Sequence, residues 1–239
     1  MRNGHFKRAS FGLLLCVALL LAGCNMRAKY QRTVQLSAPM SPGSTFTAQT
    51  HNGSITTNGA DVADCNMVAT ITARAATEEE AQELAEKVEI SLEPSGDTLT
   101  AKIKRPTRLV NKSLSVSLDV TLPGQTKLEL VTHNGSITVR QTSGNAKLKT
   151  HNGSVKAYYA DSAEPVNDIS IITYNGSIEL ETPPDFSGKV EAITKNGSIN
   201  SDLGITVSGV FSRSRLTGSI GSGEGRLYLE THNGSIRIR

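Results

Sequence analysis

Four histidines occupy the same place in a recurring hexapeptide, and an imidazole repeated in register is the first candidate for chemistry. Thr50-His51-Asn52-Gly53-Ser54-Ile55 returns at residues 132–137 and 231–236 and, with Val155 in the last place, at 150–155, which aligns His51, His133, His151 and His232. Strands stacked about 4.8 Å apart would bring His133 and His151 close enough to share a Zn²⁺ or to titrate as a pair near neutral pH. Looser copies at residues 173–178 and 194–199 place Tyr174 and Lys195 at the histidine position, and a decayed copy at 216–220 places Leu216 there. In chain order these residues interrupt the series, and neither a cysteine nor a regularly placed carboxylate joins it. The expectation is a solvent-facing ladder, with no metal site and no cofactor.

Catalysis needs groups that converge, and the sequence offers few. No Asp or Glu recurs at a fixed repeat position, and neither Gly-x-Ser-x-Gly nor His-Glu-x-x-His occurs. Asp119, Asp185 and Asp202 read as turn or surface groups. No catalytic residue is assigned and the chain is not expected to be an enzyme. The alternative is a polysaccharide-cleaving β-helix protein, which would require clustered carboxylates. The Asn-Gly-Ser triplets match an N-glycosylation pattern, but here they are read as the structural turn of the repeat.

Cysteine chemistry points to the envelope. Residues 1–8 are basic, an apolar run of about a dozen residues follows, and the segment ends in Leu21-Ala22-Gly23-Cys24. The run is too short to span a bilayer, which takes roughly 20 residues, and it reads as a signal peptide over residues 1–23. Its end resembles a bacterial lipobox, which implies lipidation of Cys24 and membrane attachment through that anchor. Asn25 rather than Asp follows, which implies the outer membrane. Residues 24–32 read as a lipid-anchored polar tether. Cys16 leaves with the signal, so Cys65 is the single cysteine of the folded part and is expected in the core, alternating with Met67, Ala69 and Ile71.

The formal net charge is +3, and Arg2, Lys7 and Arg8 supply all of it. The processed chain carries 22 basic and 22 acidic residues. Overall charge therefore gives no case for nucleic acid as a partner, nor for an anionic membrane surface.

The elements that must position the histidines follow from the repeat. From the second copy onward, successive motif glycines are 18, 23, 21, 21 and 16 residues apart, about one supersecondary unit each. In residues 146–151, Ala146, Leu148 and Thr150 alternate with Lys147, Lys149 and His151, which predicts a strand with the first set inward. Asn-Gly then supplies a turn: Asn52-Gly53, Asn134-Gly135, Asn152-Gly153, Asn175-Gly176, Asn196-Gly197 and Asn233-Gly234. A glycine with positive φ is the expected reason for that dipeptide. The inward Thr and the turn Asn are expected to form side-chain hydrogen-bond ladders.

Two architectures fit. One is a mainly β, single β-solenoid or β-helix-like stack of roughly 20-residue repeats. The other is an antiparallel β-meander or sandwich in which each Asn-Gly closes a hairpin. Identity between distant copies favours the stack, because equivalent turns then see equivalent neighbours. An α-helix is expected near residues 77–89, with Thr77 as N-cap and Glu80 reaching back to it. Strands are expected near 88–93, 98–104 and around Leu114, Val116, Leu118 and Val120.

The Asn-Gly-Ser-Ile repeats, the Thr-Glu-Glu-Glu-Ala segment at 77–81 and the Val-Thr-Leu-Pro-Gly entry at 120–124 together resemble the bacterial putative-adhesin domain family of unknown function, over residues 33–239. The resemblance implies a stacked β-repeat fold on exported or membrane-tethered proteins. It also implies an acidic residue after the motif glycine in many relatives, where this chain has Ser. The functional expectation is a non-enzymatic, lipid-anchored cell-envelope protein, an adhesin or scaffold that presents a repetitive β-surface to envelope glycan or protein. The alternative is a polysaccharide-binding or polysaccharide-cleaving β-helix protein.

Overall fold

The computed structural model describes residues 28–239, leaving aside the side chains of residues 207–211. Period-two alternation produces strands with one buried face almost throughout. The N-terminal third contains β1 (Ala28–Pro39), β2 (Thr45–Asn52), β3 (Ile55–Ala60) and β4 (Asp64–Ala75). Helix α1 (Glu78–Glu86) follows, then β5 (Glu89–Ser95), β6 (Thr98–Lys104) and β7 (Ser113–Pro123). The repeats supply β8 (Lys127–Asn134), β9 (Ile137–Thr142), β10 (Ala146–Asn152), β11 (Val155–Tyr159), β12 (Asp168–Asn175) and β13 (Ile178–Glu181). The rest is β14 (Gly188–Asn196), β15 (Ile199–Ser201), β16 (Thr206–Phe211), β17 (Arg215–Ile220), β18 (Gly225–Asn233) and β19 (Ile236–Ile238).

These strands form two mixed sheets facing each other. One runs β1-β4-β7-β3-β9-β11-β13-β19-β15 and the other β16-β17-β14-β18-β12-β10-β8-β2-β6-β5. The interior of each sheet is parallel, and the outer strands β1, β4, β5, β16 and β17 pair antiparallel. Every Asn-Gly joins a strand of the second sheet to a strand of the first. No Asn-Gly therefore closes a hairpin, and the meander expectation is corrected: the chain turns a corner between sheets.

The order of the units is not the order of the chain. The C-terminal unit, β18–β19, lies between β12–β13 and β14–β15. The decayed copy is corrected too. Leu216 to Ile220 lies inside one straight strand, β17, which pairs antiparallel with β14 and turns no corner.

Between the sheets lies an aliphatic core. Leu128 and Leu130 from β8 meet Ile137 and Val139 from β9, and their equivalents continue along the stack, all buried. Each fully buried aliphatic side chain contributes about 1.5–3 kcal/mol. Cys65, Met67, Ala69 and Ile71 are buried on β4 as the alternation implied.

Helix α1 packs on β1 and β4 through Ala81, Leu84 and Ala85, covering the end of the stack. Thr77 is its N-cap, accepting the Glu80 amide at 3.2 Å. The expected return contact is corrected: the Glu80 carboxylate lies 3.4 Å from Lys112. The helix spans nine residues, because Lys87 already serves as its C-cap. β1 begins at Ala28 and pairs with β4 along its whole length, so residues 28–32 are strand rather than tether.

Candidate functional site

The corners stack in register. In stack order they are Asn52, Asn134, Asn152, Asn175, Asn233 and Asn196, each opposite its neighbour across a parallel pair. Each Nδ2 donates to the Oδ1 of the preceding asparagine at 2.7–2.8 Å, and the Nδ2 of Asn52 ends the chain on the Leu114 carbonyl at 3.1 Å. All five Asn–Asn bonds point the same way along the stack.

A second ladder runs beneath them. Thr132, Thr150, Thr173, Thr231 and Thr194 are buried, and each Oγ1 donates to the carbonyl of a neighbouring corner glycine at 2.7–2.9 Å. Thr50, at the end, donates to Val116 instead, at 3.0 Å. Both ladders were legible from the inward Thr and the turn Asn.

The corner glycines serve a different purpose from the one expected. Among them only Gly53 has a φ in the left-handed region, at +129°. What all six share is close approach. A Cβ on Gly53, Gly135, Gly153, Gly176, Gly234 or Gly197 would stand 2.0–2.1 Å from a backbone carbonyl oxygen of the adjacent unit. No side chain fits in that gap, so glycine is required by stacking rather than by turn dihedrals.

The histidines form a third, outward column. Ring centroids are 4.9 Å apart for His51 and His133, 4.8 Å for His133 and His151, 4.9 Å for His151 and Tyr174, and 4.5 Å for Tyr174 and His232. The planes are within 7–23° of parallel, so the rings lie face to face. The expected interruptions are largely removed, because the order of units sets Lys195 beyond His232, at the end of the column, and takes Leu216 out of it. Tyr174 alone separates two histidines, and it stacks with both. Among the described residues, no three His, Cys, Asp or Glu side chains converge as a metal would require.

At the β6 end of the column the second sheet splits. β2 and β6 pair only as far as Ala48 and Ala101, and then diverge. The gap is a cleft of about 600 Å³, with His51, His133, Lys102, Arg105 and Gln49 on its walls and Leu114 and Val116 among its apolar lining. No carboxylate lines it. Lys102 lies 3.8 Å from Glu93. The His51 imidazole is held below its ordinary pKa, first by partial burial, then by the charge of Arg105 and by the neighbouring His133. The sequence reading missed Arg105 and this cleft. Lys102-Ile103-Lys104-Arg105 is a visible basic run, but nothing in it tells that β6 parts from β2.

Burial and hydrogen bonding shift other groups as well. Burial pushes the Cys65 thiol up to about 11, so it stays protonated. The Tyr228 hydroxyl, which donates to Glu230 at 2.6 Å, is pushed up to about 12 chiefly by that bond. Asp119, Asp185 and Asp202 are exposed and scattered. Cys24 lies outside the described residues.

The fold has a solved counterpart. A crystal structure of a putative cell adhesion protein from Clostridium sporogenes superposes with a TM-score of 0.56 at 14% identity, covering 87% of this chain and 99% of that one. A putative adhesin from Bacteroides fragilis aligns at 11% identity with a TM-score of 0.38, covering 87% of this chain and 97% of that one. No curated protein matches this chain. The family model described as Toastrack DUF4097 matches residues 20–239, so the chain belongs to the DUF4097 (Toastrack) family.

Proposed function

We propose that this chain is a non-enzymatic cell-envelope protein, held to the membrane by lipid on Cys24, whose stacked β-surface works as an adhesin or scaffold. The observation that supports it most is the outward corner column. Five rings repeat every 4.5–4.9 Å on an exposed edge, a periodic surface suited to many weak contacts with an extended partner. In this reading the molecule is a β-solenoid-like stack whose units serve the surface they carry. The structural neighbour from Clostridium sporogenes is described as a putative cell adhesion protein, which agrees with this use of the fold. The Leu-Ala-Gly-Cys sequence at 21–24 supports an anchored, exported protein of the outer membrane.

Two experiments test it. Metabolic labelling with a palmitate analogue is expected to mark the wild-type protein and to leave Cys24→Ser unmarked; equal labelling of both removes the anchor. A glycan array paired with a reducing-sugar assay is expected to show binding without turnover. Sugar release would favour the polysaccharide-cleaving alternative.

A further inference from the structure

We infer that the imidazole column, with Arg105 at one end and Lys195 at the other, is a binding ridge for a linear, carboxylate-bearing polysaccharide, gripped more tightly in acid. This rests on the envelope-contact reading above and gives it a ligand class.

Ring orientation narrows the partner first. Within the column each ring face is covered by the next ring at 4.5–4.9 Å, and only the outer faces of His51 and His232 lack one, so between its ends the column turns edges, not faces, to solvent. Stacking of a nucleobase or a neutral sugar on an aromatic face is therefore not on offer along its length. What the edges carry is ring nitrogen, and a protonated imidazole donates from both nitrogens and bears a positive charge.

Charge narrows it further. The column from Arg105 through His51, His133, His151, Tyr174 and His232 to Lys195 contains no carboxylate. On the corner side its neighbours are the asparagines, neutral and bonded to one another. On the strand side the next column adds Gln49, Val131, Lys149, Ile172, Glu230 and Ile193. Glu230 is the one acid there, and it accepts the Tyr228 hydroxyl. At the β6 end the cleft supplies Arg105 and the Glu93-paired Lys102 beside His51, in a space of about 600 Å³, within the usual size of a ligand site. The cleft takes the terminal acidic sugar, and the column takes the following residues.

Acid strengthens the grip by linkage. Burial first, then Arg105 and the neighbouring His133, disfavour protonation of His51, and an anion laid over the column offsets the charge part. Binding therefore takes up protons, and affinity rises as pH falls.

The test uses the intact protein in a neutral detergent, with polygalacturonate as probe, at about pH 5.5 and about pH 8 and constant ionic strength. We expect affinity at least about tenfold higher at the lower pH. We expect the pH dependence to vanish in the His51→Gln, His133→Gln, His151→Gln, His232→Gln variant and affinity to fall several-fold in Arg105→Gln. Arg105 is exposed in a connection, so that variant decides the matter if the quadruple one fails to fold. No binding of polygalacturonate, or binding unchanged by pH or by these substitutions, overturns the ridge. Equal binding of neutral dextran overturns the charge argument while leaving envelope contact standing. Equal binding of single-stranded DNA overturns the assignment to polysaccharide.

Discussion

The two long margins of the stack are built on opposite principles. At the Asn-Gly-Ser margin residues pack on their counterparts in the next unit: asparagine on asparagine, corner glycine on corner glycine, ring on ring. At the opposite margin each connection is its own solution. Thr126 donates to the Pro123 carbonyl at 2.6 Å, Tyr159 to Gly144 at 3.1 Å, and Asn167 to Glu164 at 2.6 Å. Self-contact demands identity, because a change in one copy meets unchanged copies on both sides. Private contacts demand none, and the return connections share no common motif.

The largest break in this comparison should come from the corner glycine. Gly153→Ala puts a Cβ 2.1 Å from the Gly135 carbonyl oxygen, and should cost about 3 kcal/mol or more. Gly96→Ala, in a turn with φ +55° and nothing within 4 Å, should cost about 1–2 kcal/mol. Denaturant midpoints of the two variants measure the contrast. Equal midpoints would refute the steric explanation.

Next is the asparagine ladder. Asn152→Ala removes one bond donated to Asn134 and one accepted from Asn175, and should cost about 1–2 kcal/mol. Asn196 makes its ladder bond only to Asn233, so Asn196→Ala should cost about half as much. The same denaturant titration separates them, and a reversed order would mean that the ladder is not a chain of equivalent links.

The smallest effect is electrostatic. The folded state lowers the His51 pKa below 6.5, so its neutral form is favoured. That contribution is fully present above the unfolded value and is lost as pH falls through the folded one. The melting temperature should therefore decline as pH drops below about 6.5, and His51→Gln should flatten the decline. An unchanged slope in the variant would assign the acid sensitivity elsewhere.

The same contrast explains how far the sequence could be read. The corners were legible residue by residue: inward Thr150, outward His151, turning Asn152-Gly153, inward Val155. The helix cap at Thr77 and the alternation on β4 were legible for the same reason, since local periodicity carries them. The order of the units was not legible. Six nearly identical corners fit one another in any sequence, so nothing in Thr231 to Ile236 marks it as lying between 173–178 and 194–199 rather than beyond 194–199. The cause of the glycine was hidden as well, because close approach to another unit leaves no local mark. Beyond Ala48 the β2 side chains Thr50 and Asn52 turn to the Val116 and Leu114 carbonyls of β7, a long-range contact that Lys102 to Arg105 cannot announce.

Unit order is thus the most exposed claim, and cysteine cross-linking reads it directly. The Ser235 amide lies 3.4 Å from the Ser177 hydroxyl, and the Ser198 and Ser235 hydroxyls are 3.3 Å apart. Ser177 and Ser198 are two units apart, roughly 10 Å, beyond disulfide reach. Oxidation should join Ser177→Cys to Ser235→Cys, and Ser198→Cys to Ser235→Cys, while Ser177→Cys paired with Ser198→Cys stays reduced. A disulfide between Ser177→Cys and Ser198→Cys, with none between Ser177→Cys and Ser235→Cys, would put the units in chain order and contradict the stack described above.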